Sequence, residues 1–318
     1  MLIVDRLEPV PDRLRRAVIS IGNFDGVHLG HVALLDRLIR MARRLDAPAV
    51  ALTFDPHPIA LLRPDQAPPP LTWTGRKVEL MRRAGADEVV VFKTGPWLLG
   101  LTAREFFDRV IREQFQAVGI VEGPTFGFGR DRAGTVETLD DWCAEAGLHF
   151  EIAPPADRDG RIVSSTRIRH ALLDGKADEA AALLGRPHRL RGTVVRGAGR
   201  GRAIGVPTAN LGGIDTLIPA DGVYAGVSFL DDGEGPIPSA VHIGPNATFG
   251  AEIRTVEVHL LDFEADLYGR GLELDVLARL RPTETFAGLE PLLAQMRIDV
   301  SRAREVIASA AAQGRPAD

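Results

Sequence analysis

"AVISIGNFDGVHLGHVALLDRLIR", residues 17–40, joins a short apolar run, a glycine-rich turn and the start of an amphipathic helical pattern. The apolar run at 17–21 predicts a buried strand, and the spacing of Leu35, Leu38 and Ala42 predicts a helix. The turn between them contains three glycines and two histidines, a composition that a packed core does not need. A strand that leads directly into a helix is the repeating unit of an α/β domain with a parallel sheet.

The alternation of strands and helices continues through the first half of the chain. Further strand-like runs occupy residues 49–54, 88–92, 118–123 and 149–154, with helical patterns at 75–85, 102–115 and 135–147 between them. These near-continuous apolar strands predict a doubly wound, Rossmann-like sheet that binds ligands at the carboxyl ends of its strands. Two short helices follow at about 165–175 and 177–184, and we place the end of the first domain, residues 1–184, after them.

The second domain, residues 185–318, has a different period. Residues 255–260 and 272–280 alternate apolar and polar side chains, which is typical of half-buried antiparallel strands. Residues 222–230 and 237–244 are also strand-like, and short strands at this spacing predict a small antiparallel β-barrel or a sandwich. Apolar residues at helical spacing from Leu289 to Ala303 predict a C-terminal helix that packs on these strands.

The composition argues against several classes of protein. A net charge of −5 gives no general attraction for nucleic acid, and the single cysteine, Cys143, excludes an internal disulfide. The first 16 residues carry acids and prolines where a signal peptide needs an apolar core, and no apolar run approaches the ~20 residues of a membrane span. We expect a cytoplasmic protein, monomeric or weakly oligomeric, with neither a nucleic-acid nor a membrane partner.

Two segments could bind an anion at the edge of the first sheet. His28 and His31 lie where the first helix begins, so their imidazoles could join the free N–H groups of that helix terminus. In "SSTRIRH" (164–170), Ser165 and Thr166 could cap another helix while Arg169 adds a fixed charge. Alone, each segment is more simply a turn with surface histidines or a capped helix with solvated arginines. Because both follow strands of one sheet, together they predict a site for a nucleoside triphosphate.

The chain also resembles a known family over nearly its whole length. In the first domain, "GNFDGVHLGH" (22–31), "TFDPHP" (53–58) and "SSTRIRHAL" (164–172) resemble the nucleotidylyltransferase module of bacterial bifunctional riboflavin kinase/FAD synthetases. The second domain resembles the riboflavin kinase module of the same enzymes in four places: "GTVVRGAGRGRAIGVPTANL" (192–211), "GVYAG" (222–226), "VEVHLLDF" (256–263) and the region from "LRPTETF" onward. The resemblance implies an enzyme that uses ATP and Mg²⁺ to convert riboflavin to FMN and then FMN to FAD.

The resemblance also implies roles for individual residues. In the kinase module, a glycine-rich flap at 196–205 covers the nucleotide phosphates, the "PTAN" segment holds Mg²⁺ and phosphate through Thr208 and Asn210, and Glu257 is the general base. Val256, Val258 and Leu260 share one face of the predicted strand, which leaves Glu257 on the other. Without the resemblance, Glu257 would be interpreted as an ordinary solvent-exposed carboxylate on a strand. The implied binding residues of this module are Gly199, Gly201, Gly205, Pro207, Thr208 and Asn210.

In the adenylyltransferase module, FMN phosphate attacks the α-phosphorus of ATP and pyrophosphate leaves. His28, His31 and Arg169 are implied to stabilise the developing charge without a covalent intermediate. The implied nucleotide-binding residues are Gly22, Asn23, Phe24, Asp25, Gly30, Ser164, Ser165 and Thr166.

Two departures from the family pattern stand out. Thr125 occupies a position in "VEGPTFGFG" (121–129) where the family commonly has an acid, and Glu122 lies nearby. A carboxylate of the first site is therefore missing or moved. The other departure, "HIGPNATFG" (242–250), replaces a segment where the family tends to carry Arg-Pro-Thr.

Three alternatives remain open at this point. The chain could be a riboflavin kinase with an inactive or weak adenylyltransferase domain, which Thr125 suggests. It could be an adenylyltransferase of pantetheine or nicotinate type with an unrelated barrel attached, although "PTAN" and "EVH" oppose this. It could also be a flavin-sensing binding protein, against which Asn210 and Glu257 speak.

Overall fold

The computed structural model describes every residue except 198–200, 202–204, 234, 246–253 and 313–318. Contacts divide the chain into two units. The first comprises Met1–Pro68 and Thr72–Val163, and the second comprises Pro69–Leu71 and Ser164–Asp318. In the part of the chain that the structure describes, no helix is both long and apolar enough to cross a membrane.

The first unit is built on a six-stranded parallel sheet in the order β1-β4-β3-β2-β5-β8. Apolar strand residues alternate between its two faces, and each face packs into its own core. Ile19 and Leu52 lie in one core, while Val18 and Ala51 lie in the other. The strands are β1 (Leu2–Val4), β2 (Val18–Ile21), β3 (Ala49–Asp55), β4 (Glu88–Lys93), β5 (Gly119–Glu122) and β8 (His149–Ile152), with two short hairpins formed by β6 (Gly127–Phe128) with β7 (Gly134–Thr135) and β9 (Asp157–Arg158) with β10 (Arg161–Ile162).

Helices connect the strands of this sheet. Leu35, Leu38 and Ala42 are buried in the first helix as the spacing predicts, whereas Ile39, predicted on the same face, is half-buried and Met41 is buried in addition. The helices are α1 (Leu29–Arg44), α2 (Pro58–Leu62), α3 (Thr74–Arg83), α4 (Pro96–Leu99), α5 (Ala103–Glu105), which continues as a π-helical segment (Phe106–Gln114), and α6 (Val136–Ala146). Cys143 lies in α6 and is fully buried.

The second unit is a closed six-stranded barrel in the order β11-β12-β15-β14-β13-β16, with every pair antiparallel. Its strands are β11 (His188–Val195), β12 (Ala209–Gly212), β13 (Gly222–Leu230), β14 (Ile237–Pro245), β15 (Arg254–Leu260) and β16 (Gly271–Arg281). Inward-facing apolar residues, among them Leu190, Tyr224 and Val241, fill the barrel. Of the two architectures that the sequence left open, the barrel is therefore the correct one.

Three helices pack with this barrel. Helices α7 (Ser165–Leu173) and α8 (Ala177–Leu184) pack on each other, and α8 contacts β11 and β16. The C-terminal helix α9 (Leu289–Ala312) packs against β13, β14 and β16. It is tied to the barrel by Arg281, whose guanidinium binds the buried carboxylate of Asp299 at 2.8 Å.

The fold class predicted from the sequence is confirmed: a Rossmann-like parallel sheet, then a small antiparallel barrel, then a C-terminal helix. Three strands of the parallel sheet and the barrel were absent from the prediction, as were the four strands of the two short hairpins. β1 is a short edge strand that pairs with β4, and β11 and β12 lie on either side of the glycine-rich segment 196–205. The two units divide between Val163 and Ser164, so α7 and α8 pack with the barrel. The domain boundary after residue 184 stays a prediction.

Candidate functional site

The loop from Gly22 to His28 leaves the carboxyl end of β2 in an unusual backbone conformation. Phe24, Gly26 and Val27 all have positive φ, at 47°, 85° and 38°. Gly26 adopts this region at no cost, but a β-branched residue such as Val27 is strained there. The side chains of Phe24 and Val27 are 1 % exposed, so their burial in the core holds the strained backbone in place. Strain of this kind clusters at functional sites.

Polar contacts within the first unit anchor the same loop. The Asp25 carboxylate accepts a hydrogen bond from the backbone N–H of Thr72 at 3.2 Å, and Gly26 N–H donates to the Thr72 hydroxyl at 3.2 Å. The buried Lys77 ammonium contacts the Thr53 hydroxyl at 3.5 Å, and that hydroxyl donates to the Asn23 carbonyl at 3.2 Å. Desolvation lowers the pKa of Lys77, while the charges of Asp25 and Asp55 oppose that shift.

The two predicted histidines form one stacked pair at the start of α1. His28 is the N-cap of the helix, and its Nδ1 accepts a hydrogen bond from His31 N–H at 3.3 Å. Their rings stack with centroids 3.7 Å apart, and the rings of Phe24 and His31 meet edge to face with centroids 5.2 Å apart. Gly30 makes room for this stack, because a Cβ there would lie 3.0 Å from His28 Cε1. Both imidazoles are thus held at a helix N-terminus, as the sequence predicts.

The remaining predicted residues of this loop differ in what they can offer a ligand. Asn23 Oδ1 is buried without a hydrogen-bond partner among the described residues. Because buried polar atoms are rarely unpaired, this oxygen is a candidate ligand-binding atom. The Asp25 side chain points to Thr72 and the Phe24 ring is buried, so both hold the loop in shape. Gly22 lies against Phe24, since a Cβ there would be 3.2 Å from Phe24 Cε2.

The second predicted anion-binding segment opens α7. Ser164 is the N-cap of this helix, and its hydroxyl accepts a hydrogen bond from Arg167 N–H at 3.2 Å. The prediction that Ser165 and Thr166 cap the helix is therefore wrong, because the N-cap lies one residue earlier and Ser165 is already the first residue of the helix. Arg169 Nε donates to the Pro69 carbonyl at 3.0 Å. Since α7 belongs to the second unit, the approach of Ser165, Thr166 and Arg169 to His28 and His31 stays a prediction.

In the barrel, predicted site residues meet across neighbouring strands. Val256, Val258 and Leu260 point into the barrel core, and Glu257 is half-buried on the opposite face, as predicted. Glu257 on β15 lies directly opposite Asn210 on β12. Residues directly opposite on one face of antiparallel strands have Cβ atoms about 4.5–5.5 Å apart. A carboxylate and an amide are thus presented side by side on the outer face of a closed barrel.

The segment that leads into β12 brings further predicted residues to this face. The His259 ring donates from Nδ1 to the Pro207 carbonyl at 2.7 Å, which ties the "PTAN" segment to β15. Val206 N–H donates to the Gly201 carbonyl at 2.9 Å, and a Cβ at Gly201 would lie 3.1 Å from the Thr208 hydroxyl. Gly205 has a φ of 78°, which favours glycine. Gly199 lies outside the described residues.

His242 belongs to the same outer face and was absent from the predicted site. It lies on β14 directly opposite Glu257, so Asn210, Glu257 and His242 form one row across three strands. Burial lowers the pKa of His242, Glu257 and Asp221 raise it, and Arg281 lowers it further. His242 Nδ1 is buried without a hydrogen-bond partner among the described residues. The sequence indicated only that 237–244 is strand-like, and the strand order is what places His242 beside Glu257.

The donor atoms of this face fit a magnesium ion held together with phosphates. Thr208 and Asn210 offer a hydroxyl and an amide oxygen, the hard donors that Mg²⁺ accepts alongside water and substrate oxygens. In the described part of the chain, no group of three or more His, Cys, Asp or Glu side chains could hold a metal by itself. Mg²⁺ commonly keeps several waters and binds substrate phosphates, so two protein oxygens are compatible with such a site.

Family models match both units of the chain. The model described as FAD synthetase matches residues 10–167, and the model described as riboflavin kinase matches residues 184–307. The crystal structure of a protein titled macrolide-efflux protein from Streptococcus pneumoniae superposes with a TM-score of 0.84 and is 32% identical, over 95% of this chain and 98% of that one.

Curated relatives are similar over almost their full length. The bifunctional riboflavin kinase/FMN adenylyltransferase of Escherichia coli K12 is 36% identical over 91% of this chain and 92% of its own. The enzyme of the same name from Pseudomonas fluorescens is 36% identical over 98% of this chain and 99% of its own, and that from Bacillus subtilis is 31% identical over 92% and 93%. The chain therefore belongs to the family of bifunctional riboflavin kinase/FMN adenylyltransferases.

Proposed function

We propose that this protein phosphorylates riboflavin with ATP to give FMN and then adenylylates FMN with a second ATP to give FAD and pyrophosphate. The observation that carries the proposal is the presence of two separately built sites. One is the stacked histidine pair at the N-terminus of α1, and the other is the Asn210–Glu257 pair on the barrel. The two family matches cover both of them.

In the kinase reaction, Glu257 accepts the proton of the riboflavin 5′-hydroxyl. The hydroxyl oxygen attacks the γ-phosphorus of ATP, and ADP leaves. Phosphoryl transfer depends mainly on positioning and on neutralising charge, so a carboxylate base on a rigid strand is sufficient protein chemistry. Asn210 and Thr208 would hold Mg²⁺, which supplies positive charge to the phosphate oxygens. Gly197 leaves space beside the Asn210 amide, because a Cβ there would lie 2.3 Å from Asn210 Nδ2.

In the adenylyltransferase reaction, a phosphate oxygen of FMN attacks the α-phosphorus of ATP. His28 and His31, held at the positive end of α1, stabilise the negative charge that develops on the phosphate oxygens. Asn23 Oδ1, which is buried and has no hydrogen-bond partner among the described residues, is the further polar atom of the same loop that we assign to this site. That Ser164, Ser165, Thr166 and Arg169 also bind the nucleotide stays a prediction from the sequence.

The two activities can be separated by substitution. Purified protein given riboflavin, ATP and Mg²⁺ should yield both FMN and FAD on chromatography. Glu257→Gln should abolish FMN formation but leave FAD formation from supplied FMN, and His28→Asn should do the reverse. Glu264→Gln and His149→Asn are matched controls, because both side chains are exposed in the same units.

The outcomes of this assay decide between the alternatives. FMN without FAD from the wild-type protein would establish a riboflavin kinase with an inactive first domain. Flavin binding without ATP consumption would establish a sensor. Neither alternative has a specific observation in its favour, since Thr125 is exposed and the loop at His28 is fully formed.

We also propose the domain boundary between residues 184 and 185, because the riboflavin kinase match begins at residue 184. A cytoplasmic location and a monomeric or weakly oligomeric state stay predictions. Cell fractionation and sedimentation velocity test them.

A further inference from the structure

The first sheet has one point where its strand order changes direction. From β2 the chain proceeds to β3 and β4 on one side, and then returns to β5 and β8 on the other. In open α/β sheets, the crevice at the carboxyl ends of the two strands that flank such a point is where ligands bind. Here those strands are β2 and β5.

The ends of β2 and β5 are not joined by the regular backbone ladder. Their register pairs Val18 with Gly119 and Ile19 with Ile120 and goes no further. Both strands nevertheless continue along their other neighbours, β2 to Ile21 and β5 to Glu122. The two strands therefore part at the end where the loop to His28 begins.

The side chain of Glu122 fills this gap. Its Oε1 accepts a hydrogen bond from the backbone N–H of Ile21 at 2.6 Å, in the place of a β5 carbonyl. Ile21 is the last residue of β2, and the next residue, Gly22, donates instead to the Leu52 carbonyl of β3. Glu122 is 2 % exposed and forms no ion pair within the described residues, so burial raises its pKa well above the ordinary value. A buried carboxyl group whose oxygen holds the last amide of β2 is therefore built into the switch point.

We propose that Glu122 is a positioning residue of the adenylyltransferase site, which sets the start of the Gly22–His28 loop by holding the Ile21 amide and keeping the ends of β2 and β5 apart. The loop is strained at Phe24 and Val27, so it depends on fixed attachments at both ends. Thr72 and the α1 cap provide the far attachment, and Glu122 provides the near one. The proposal rests on the adenylyltransferase activity proposed above.

Three substitutions test this role. Glu122→Gln keeps an acceptor oxygen of the same reach, Glu122→Met keeps the length but removes the acceptor, and Glu122→Asp withdraws the carboxyl group by one methylene. Each variant is given FMN and ATP for FAD formation, and riboflavin and ATP for FMN formation as an internal control in the other unit. Glu151→Met on the adjacent strand β8 is the matched control, since Glu151 is half-buried and binds Arg37.

The proposal expects Glu122→Gln to keep kcat for FAD formation within about threefold of wild type. Glu122→Met and Glu122→Asp should lower kcat by at least about tenfold, with little change in KM for FMN or ATP, because the histidines act on the transition state. Full activity in Glu122→Met or Glu122→Asp overturns the proposal. Equal loss in Glu122→Gln also overturns it, because the acid itself would then be required. Should Glu122→Met fail to fold, Glu122→Asp decides. A wild-type protein that makes no FAD would refute the proposed function instead.

Discussion

Gly30→Ala tests whether the geometry of the histidine pair, rather than its mere presence, supports FAD formation. Gly30 is the second residue of α1, and a Cβ there would lie 3.0 Å from His28 Cε1, 3.1 Å from His28 Nδ1 and 3.4 Å from the Val163 carbonyl. The His28 ring must move by about 0.4 Å to reach an ordinary contact distance. It cannot retreat freely, because it stacks on His31 at 3.7 Å and accepts the His31 N–H.

The expected effect on stability is small, whereas the effect on catalysis is large. Alanine is better than glycine inside a helix by up to about 1 kcal/mol, and loss of the His28 cap costs about 0.5–2 kcal/mol. These changes nearly cancel. A displacement of about 1 Å in a catalytic geometry can cost about a hundredfold in rate, so a shift of a few tenths of an ångström predicts a loss of about tenfold in kcat.

The assay compares FAD formation from FMN and ATP with FMN formation from riboflavin and ATP in the same preparation. Gly75→Ala is the matched control, because Gly75 is also the second residue of a helix in the first unit, and its Cβ would meet nothing closer than 3.5 Å. Gly75→Ala should leave both activities unchanged. Wild-type kcat for FAD formation in Gly30→Ala would refute the assignment of His28 as a positioned catalytic group.

Three further predictions concern stability and reactivity. Asp275→Asn removes the buried negative charge that Arg189 binds through two hydrogen bonds of 2.6 Å. In calorimetry, the free energy of unfolding of the barrel should fall by about 3–5 kcal/mol. The control Asp232→Asn, at an exposed ion pair, should lower it by at most about 1 kcal/mol. The pKa of Glu122 is raised in the folded state, so its contribution to the free energy of unfolding is complete below pH 4.5 and is lost as the pH rises. Relative to Glu122→Gln, the wild-type free energy of unfolding should fall by up to about 1.4 kcal/mol per pH unit above 4.5. Urea unfolding followed by tryptophan fluorescence measures this, and parallel pH curves for the two proteins would contradict it. Burial raises the pKa of Cys143 to about 12, so iodoacetamide at pH 8 should alkylate it only after unfolding, as mass spectrometry would show.

Most of the first unit could be predicted from hydrophobic pattern alone. The runs at 17–21, 49–54 and 88–92 became β2, β3 and β4 within a residue at each end, because buried parallel strands leave long apolar runs. β1 escaped prediction although Leu2, Ile3 and Val4 are all apolar, because a run of three residues is too short to show the period of a strand. The cap of α7 was misplaced because "SST" offers three consecutive hydroxyl residues, and backbone geometry rather than composition selects Ser164.

The sequence identified many residues of the candidate sites, but it did not show how those residues are placed relative to one another. Alternation around Glu257 showed which face it occupies, because a strand has a period of two. It could not show which residues lie opposite, since the register that pairs Glu257 with both Asn210 and His242 joins strands distant in sequence. For the same reason Glu122 was visible only as an unexpected acid near Thr125. Its contact with Ile21 spans 101 residues of sequence.

The two sites are held in place by different means, and this predicts different responses to mutation. On the barrel, Asn210, Glu257 and His242 stand on the outer face of strands whose inner residues form the core, so changing them leaves the packing intact. In the first unit, Phe24 and Val27 both fill the core and hold the strained loop that carries the histidines. Substitutions there must therefore alter stability and FAD formation together. Loss of the kinase activity can therefore occur without loss of fold, whereas substitution of Phe24 or Val27 impairs FAD formation through the core of the first unit.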